Sequence, residues 1–507
     1  MRISFFLSKH QQKLRLKACL ACFVVPLSFT SAVLANSPIT ASPAPVVAAT
    51  TSSQVASFRL PAYETHTLSN GLTVILMERR DVPLIAVRAV FKAGAIYDAK
   101  QAGLANLTGD ALLLGSAKFD KKAIDSTFDF RGARITSNTG SDASSLSLDF
   151  AKEDADTLMP ILADIIRQPS FDNDEFVKLR ARTVDGLKQA KESPRNVVQA
   201  YYRSMLFGSG AYANAPSGSV SSVSALQTAD VKSFHQENYR PDNAALIVVG
   251  DFNAAQMRSK LENLLGNWQA ANATQAKNPA IKLTSPDTGK VLAATERVWL
   301  VNKADAVETT FMFGGAGIAR NDPDYVPLQV LNTILGGRFT SWLNDELRVN
   351  SGLTYGANSS FNPLAQAGTF AVSSFTANAK TEAALALAFK TYQRLWDKGI
   401  DATSLASAKA YVKGQYPPRF ETNQQLAGLL SEMHVSKVGR EQIDRFTQDV
   451  DSLTPAKAKA LIDKHFPRDK MQLLLIGKAD VIREIAKKYG PVTELQIVDD
   501  GFAPPSK

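Results

Sequence analysis

A chain of 507 residues, 45% of them hydrophobic, can bury a sizeable core without staples, and its formal charge of +9 shrinks once the N-terminus is set aside. Residues 1–35 hold Arg2, Lys9, Lys13, Arg15 and Lys17, no acidic residue and both cysteines, so the remainder carries +4 and no thiol. That excludes disulfides, thiol chemistry and cysteine metal sites, and no Lys/Arg block with interleaved aromatics points to nucleic acid.

In chain order, the basic stretch "MRISFFLSKHQQKLRLK" precedes the apolar run "ACLACFVVPLSF" (18–29) and small residues at Val33 and Ala35. This is the pattern of a secretory signal peptide spanning 1–35, which predicts export to a Gram-negative periplasm or beyond it. A membrane anchor needs about 20 continuous apolar residues, and Pro26 breaks a shorter run, so no membrane insertion is expected after signal removal. The Pro, Ala, Ser and Thr of 36–57 read as a flexible leader.

From residue 58 the pattern becomes that of a folded domain. "LTVILME" (72–78) and "SSLSLDFA" (144–151) have strand period, and "LIAVRAVFKAGAIYD" (84–98) is a strand running into a Gly-containing turn. Helices are predicted over 154–168, 173–192 and 194–207. "TADVKSFHQ" at Thr228, with Thr as the expected N-cap, leads into "NYRPDNAALIVVGDFNAAQMRSKLENLLG" (238–266), a turn, a strand ending at Gly250 and an amphipathic helix. A polar, Pro-bearing linker follows at 269–291.

The second half repeats the first. "VETTFMFGGAGIARND" (307–322) matches 84–98, and "VPLQVLNTILGGRFTS" matches "AGLANLTGDALLLGS". "TPAKAKALID" at Thr454 and "HFPRDKMQLLLIGKADVIREIAKKYG" (465–490) match 228–266, and helices are expected near 381–397, 402–415 and 423–437. Offsets of roughly 220–230 residues mark duplication of a whole domain. The glycines of "FGGAG" (313–317) lack a following Lys-Ser/Thr, so they are read as a tight strand exit and not as a phosphate loop. Strands and helices in irregular order predict an α+β fold: two homologous domains, each a mixed or antiparallel sheet packed with helices. They span 58–268 and 292–495, and a tail follows at 496–507, of which "DDGFAPPSK" (499–507) reads as disordered.

Zinc peptide hydrolysis requires imidazoles four residues apart on one helical face and a carboxylate beside them to activate water. The histidines after residue 35 are His66, His235, His434 and His465, and no two stand within helical reach. Each is read as a helix-end or boundary histidine and not as a ligand.

The duplicated architecture, "GLANLTGDALLLGS" (103–116), "NYRPDNAALIVVGD" and "LGGRFTSWLNDELRVNSGLTYGANSSF" (335–361) together resemble the pitrilysin/insulinase family of His-x-x-Glu-His zinc peptidases. The resemblance covers nearly all of 58–495. It places Asn106 at the first His position, Gly109 at the general-base Glu and Asp110 at the second His. The downstream Glu falls at or next to Gly186, with Asp185 beside it. Oxygen donors such as Asn106, Asp110 and Asp185 suit Ca²⁺ or Mg²⁺ better than zinc, and Gly109 has no group to activate water. No catalytic residue, metal ligand or cofactor is therefore expected in this chain.

The resemblance further implies that Arg348, at the end of a helix, and Tyr355, in the strand that follows, contact the substrate backbone near the scissile carbonyl, facing the zinc of another domain. The chain then reads as the non-catalytic subunit of a heterodimeric peptidase acting on peptide substrates. Its partner would be a catalytic subunit bearing the intact His-x-x-Glu-His motif, and zinc is expected there. Two alternatives stand beside this reading: a stand-alone peptide-binding or structural protein on an inactive peptidase fold, and a divergent active metallopeptidase.

Overall fold

The computed structural model describes residues 58–269, 298–468 and 471–504. The signal peptide, the leader and nearly all of the linker lie outside the described residues. Among the described residues no helix is long and apolar enough to cross a membrane.

The first half builds a six-stranded sheet from β1 (Glu64–Thr67), β2 (Thr73–Glu78), β3 (Leu84–Phe91), β4 (Arg134–Thr139), β5 (Ser144–Ala151) and β6 (Ala244–Gly250). Their spatial order is β1-β2-β6-β3-β5-β4, with β2 and β6 parallel and every other pair antiparallel. The second half contributes β7 (Val298–Asn302), β8 (Glu308–Ala316), β9 (Ala357–Pro363), β10 (Gly368–Ala377), β11 (Gln472–Gly477) and β12 (Val492–Gln496). These lie in the order β12-β7-β11-β8-β10-β9. The two sheets match strand for strand except at one edge. There β1 runs antiparallel to β2, whereas β12, from the end of the chain, runs parallel to β7.

The central strands are the least ambiguous in sequence because both of their faces are covered. In β6 ("AALIVVG") and β11 ("QLLLIG") every residue is buried, as expected of a strand with apolar layers above and below. One face of each sheet packs on helices of its own half, around Val87, Leu148 and Leu158 in the first and Phe313, Leu331 and Leu385 in the second.

The other faces are covered reciprocally. Helix Pro194–Phe207 of the first half sets Val197, Tyr201, Tyr202 and Met205 against Trp299, Met312 and Leu474 of the second sheet. Helix Asn423–Ser436 of the second half sets Leu426, Leu430 and Met433 against Ile75, Val90 and Ile247 of the first. Each fully buried large apolar side chain contributes about 1.5–3 kcal/mol, so the exchange ties the halves into one cooperative body.

Three expectations are corrected by the packing. Gly314 lies inside β8 and not at a strand exit. A Cβ there would sit 2.1 Å from the Phe370 carbonyl oxygen and 2.8 Å from the Tyr202 hydroxyl, so the missing side chain admits Tyr202, which donates to Phe370 O at 2.9 Å. Thr228 is the first residue of its helix, because Gln227 and Asp230 form the capping box. Thr454 is an N-cap, accepting from Lys457 N. The tail is ordered through residue 504: Asp500 accepts from the Ser219 hydroxyl and Ser221 N, and Phe502 packs edge-on to Tyr201.

Candidate functional site

The helix carrying the degenerate motif, Leu104–Ala111, starts at Gly103 in the left-handed region (φ 93°). Its first turn is held by Asp98, whose carboxylate accepts from Gly103 N at 2.8 Å and Ala105 N at 2.7 Å. Asp98 is 1% exposed, and burial pushes its carboxyl up to about 7 against those two hydrogen bonds.

Beyond that cap, the motif positions are used up locally. Asn106 donates from Nδ2 to Asp110 Oδ2 at 3.4 Å. Burial pushes the Asp110 carboxyl up to about 6, with Ser137 opposing the shift. Gly109 is buried against β4, and a Cβ there would lie 2.8 Å from Ser137 Oγ and 3.0 Å from Thr139 Oγ1. A glutamate at this position would have to displace both hydroxyls before it could reach a water. Asp185 is exposed and pairs with Lys188 at 3.6 Å, and Gly186 faces open space. With an amide for one imidazole, a carboxylate for the other and hydroxyls where the base would stand, these residues do not fit zinc.

The histidines have other employment. His235 is buried, its Nε2 within 2.9 Å of Ile166 O, and desolvation lowers it to about 4. His66 lies 2.8 Å from Glu64. Burial and the nearby Lys92 lower His434. His465 meets Asp324 at 2.7 Å. Among the described residues, the one group of three ionisable ligands near enough to share an ion is Asp322, Asp324 and His465. Lys464 Nζ already occupies the same Asp324 Oδ2 at 2.7 Å, a cation where a metal would have to sit.

Arg348 and Tyr355 belong to the second half and lie in the segment that leads into β9. Arg348 lies in the π-helical turn Asp345–Asn350, and Tyr355 lies in the turn before β9, not within the strand as the sequence suggested. The turn brings the two together: the Arg348 guanidinium lies over the rings of Tyr355 and Phe339, 4.7 and 4.8 Å from their centroids. Both rings face solvent, 75% and 61% exposed. Asn344 braces the turn, accepting from Ala357 N and donating to Phe339 O. The Arg348 guanidinium makes no hydrogen bond or ion pair among the described residues, so its donors are free.

Arg348 and Tyr355 line an open cleft of about 670 Å³. Its far wall holds Arg195 and Gln199 from helix Pro194–Phe207, the first-half helix that crosses onto this sheet. Arg338 adds a third guanidinium. Sequence reasoning missed Arg195 and Arg338; only the helix exchange brings the first of them within reach.

Fold and site thus define a two-domain peptidase-like scaffold whose motif helix lacks zinc ligands, with Arg348 and Tyr355 at an open cleft of the second half. Comparison with known proteins agrees. Residues 73–217 match the family profile "Insulinase (Peptidase family M16)", and residues 225–412 match "Peptidase M16 inactive domain". The chain is 23% identical over 355 residues to the "Non-peptidase homolog YmxG" of Helicobacter pylori, covering 69% of this chain and 78% of that protein. It is 20% identical over 350 residues to the "Uncharacterized zinc protease YmxG" of Bacillus subtilis, covering 69% and 82%. The crystal structure of a peptidase M16 inactive domain from Pseudomonas fluorescens superposes with a TM-score of 0.75 at 25% identity, over 82% of this chain and 98% of that one. The chain belongs to the pitrilysin/insulinase (M16) peptidase family.

Proposed function

We propose that this chain is the non-catalytic subunit of an exported two-chain M16 peptidase. In this reading it lends Arg348 and Tyr355 to peptide substrates held at the zinc site of a partner with an intact His-x-x-Glu-His motif. The observation that carries the proposal is a contrast within one molecule. The general-base position is closed by Ser137 and Thr139, while Arg348 keeps its donors free beside an exposed phenol. A guanidinium and a phenol suit a carbonyl oxygen that gains negative charge under attack. The relative named as a non-peptidase homologue and the inactive-domain match over 225–412 support the same reading.

The test is to tag the chain in its host, recover the chains that copurify, and assay peptide cleavage with and without a chelator. A second M16 chain with chelator-sensitive cleavage is expected. Stoichiometric zinc and proteolysis in the lone chain would instead establish the divergent-peptidase alternative. Because both halves of this one chain wall the cleft, stand-alone peptide binding keeps support as a second reading, and a chain that binds peptide with no stable partner would favour it.

A further inference from the structure

The cleft beside Arg348 has a charge pattern that the Arg/Tyr pair does not explain. Three guanidiniums line it, from Arg195, Arg338 and Arg348, and no acidic side chain does among the described residues. Each lies by an aromatic ring: Arg195 is 4.1 Å from the Phe375 centroid, Arg338 is 5.8 Å from that of Tyr411, and Arg348 lies over Phe339 and Tyr355. Such contacts fix a guanidinium through its π face and leave its in-plane N–H groups directed outward.

Those groups are under-used. The Arg348 guanidinium has no hydrogen-bonded or ionic partner among the described residues. Arg338 donates only to the Ser407 hydroxyl at 3.1 Å, and its Nε is buried without a partner. Arg195 reaches Glu308 at 3.5 Å, an exposed pair of the kind that contributes little. The N-terminal turn of helix Pro194–Phe207, which carries Arg195, adds its own positive end to the cleft.

We infer that this cleft selects acidic peptide segments, with Arg195, Arg338 and Arg348 each available to a Glu or Asp carboxylate. Planar guanidiniums fork onto carboxylates with two parallel N–H···O bonds, and Phe339, Tyr355 and Phe375 offer apolar contact to side chains between the acids. A peptide is favoured over an oligonucleotide because the family handles peptides and the sequence holds no Lys/Arg block with interleaved aromatics. The inference rests on the reading of Arg348 and Tyr355 as substrate-facing, but it concerns binding preference and not cleavage.

The test uses the full purified chain and fluorescence anisotropy with three labelled decapeptides of one framework, carrying four Glu, four Gln or four Lys around two Phe. A single-stranded oligonucleotide of matched charge is the fourth probe. The Glu peptide is expected to bind at least tenfold tighter than the Gln peptide, with affinity falling as salt rises and the Lys peptide weakest. Arg195→Gln and Arg338→Gln should each weaken the Glu peptide several-fold, whereas Arg483→Gln, distant on the surface, should not. Equal affinity for all three peptides, an oligonucleotide binding as tightly, or an acidic preference undiminished in both cleft variants would overturn the inference. A cleaving complex without acidic preference defeats this inference alone; acidic preference without any cleaving complex defeats the subunit proposal alone.

Discussion

Helices Leu104–Ala111 and Tyr325–Leu335 occupy equivalent places, each following the second central strand of its sheet, yet the space beside them has developed in opposite directions. In the first half Ser137 and Thr139 of β4 close over Gly109, and the remaining polar groups, Asn106 and Asp110, bond to each other. In the second half the chain beyond Leu335 turns away through a π-helical segment and leaves Arg348 and Tyr355 at an open cleft. The backbone scaffold is shared, and a few side-chain volumes decide which half retains a chemical surface. The exchanged helices also make the halves interdependent, because Arg195 on a first-half helix lines the second half's cleft.

The largest expected effect concerns that interdependence. Tyr202 is fully buried with its hydroxyl on Phe370 O, and Leu430 is 1% exposed in the reciprocal position. Tyr202→Ala should cost about 3–5 kcal/mol and Leu430→Ala about 2–5 kcal/mol. Urea denaturation followed by fluorescence and by circular dichroism should show one coincident transition in each variant. Two separated transitions would mean that the halves are independent.

Next comes the closed motif. Gly109→Glu overpacks the space under β4 and places a second carboxylate near Asp110, which should cost about 1–3 kcal/mol. The triple variant Asn106→His, Gly109→Glu, Asp110→His should gain no stoichiometric zinc by elemental analysis, because β4 obstructs the site. Full zinc occupancy with unchanged stability would show that the closure is superficial.

A third effect depends on pH. Asp98 is raised from an ordinary carboxylate value to about 7 in the folded state, so folding favours its protonated form, and its contribution falls as pH rises from about 4 to 7. His235, lowered to about 4, works in the opposite direction: its contribution rises with pH between about 4 and 6.5. Asp110, raised to about 6, acts in the same direction as Asp98, so the wild-type profile sums opposing contributions. Asp98→Asn removes one of them: the stability of the variant relative to the wild type should climb with pH between about 4 and 7, with a slope approaching about 1.4 kcal/mol per pH unit, measured by urea midpoints across that range. A wild-type and variant pair with parallel pH profiles would sink the assignment.

Much of this was legible in sequence, for identifiable reasons. The repeat, the central strands and most helices follow from continuous apolar runs or helical periodicity, as in "AALIVVG" and "LLLIG". β4, "RITSNT", escaped notice because an edge strand with one large apolar residue has no alternation to detect. The helix over 194–207 follows from its periodicity, but periodicity does not say what its apolar side chains Val197, Tyr201 and Met205 pack against. The covering sheet lies about 100 residues downstream by the exchange, and Arg195 was missed with it. Tyr355 was placed in a strand because tyrosine favours strands. The Gly352 and Gly356 flanking it instead accommodate the turn that sets its ring by Arg348.

The smallest expected effect on stability is also the most direct test of function. Arg348→Ala removes an unpaired, partly exposed guanidinium, so the denaturation midpoint should move by less than about 0.5 kcal/mol. Peptide cleavage by the complex recovered on the tagged chain should nevertheless fall roughly 10²–10³-fold, with the same partner retained at the same stoichiometry. Cleavage unchanged by Arg348→Ala in an intact complex would contradict the claim that this chain contributes to catalysis in trans.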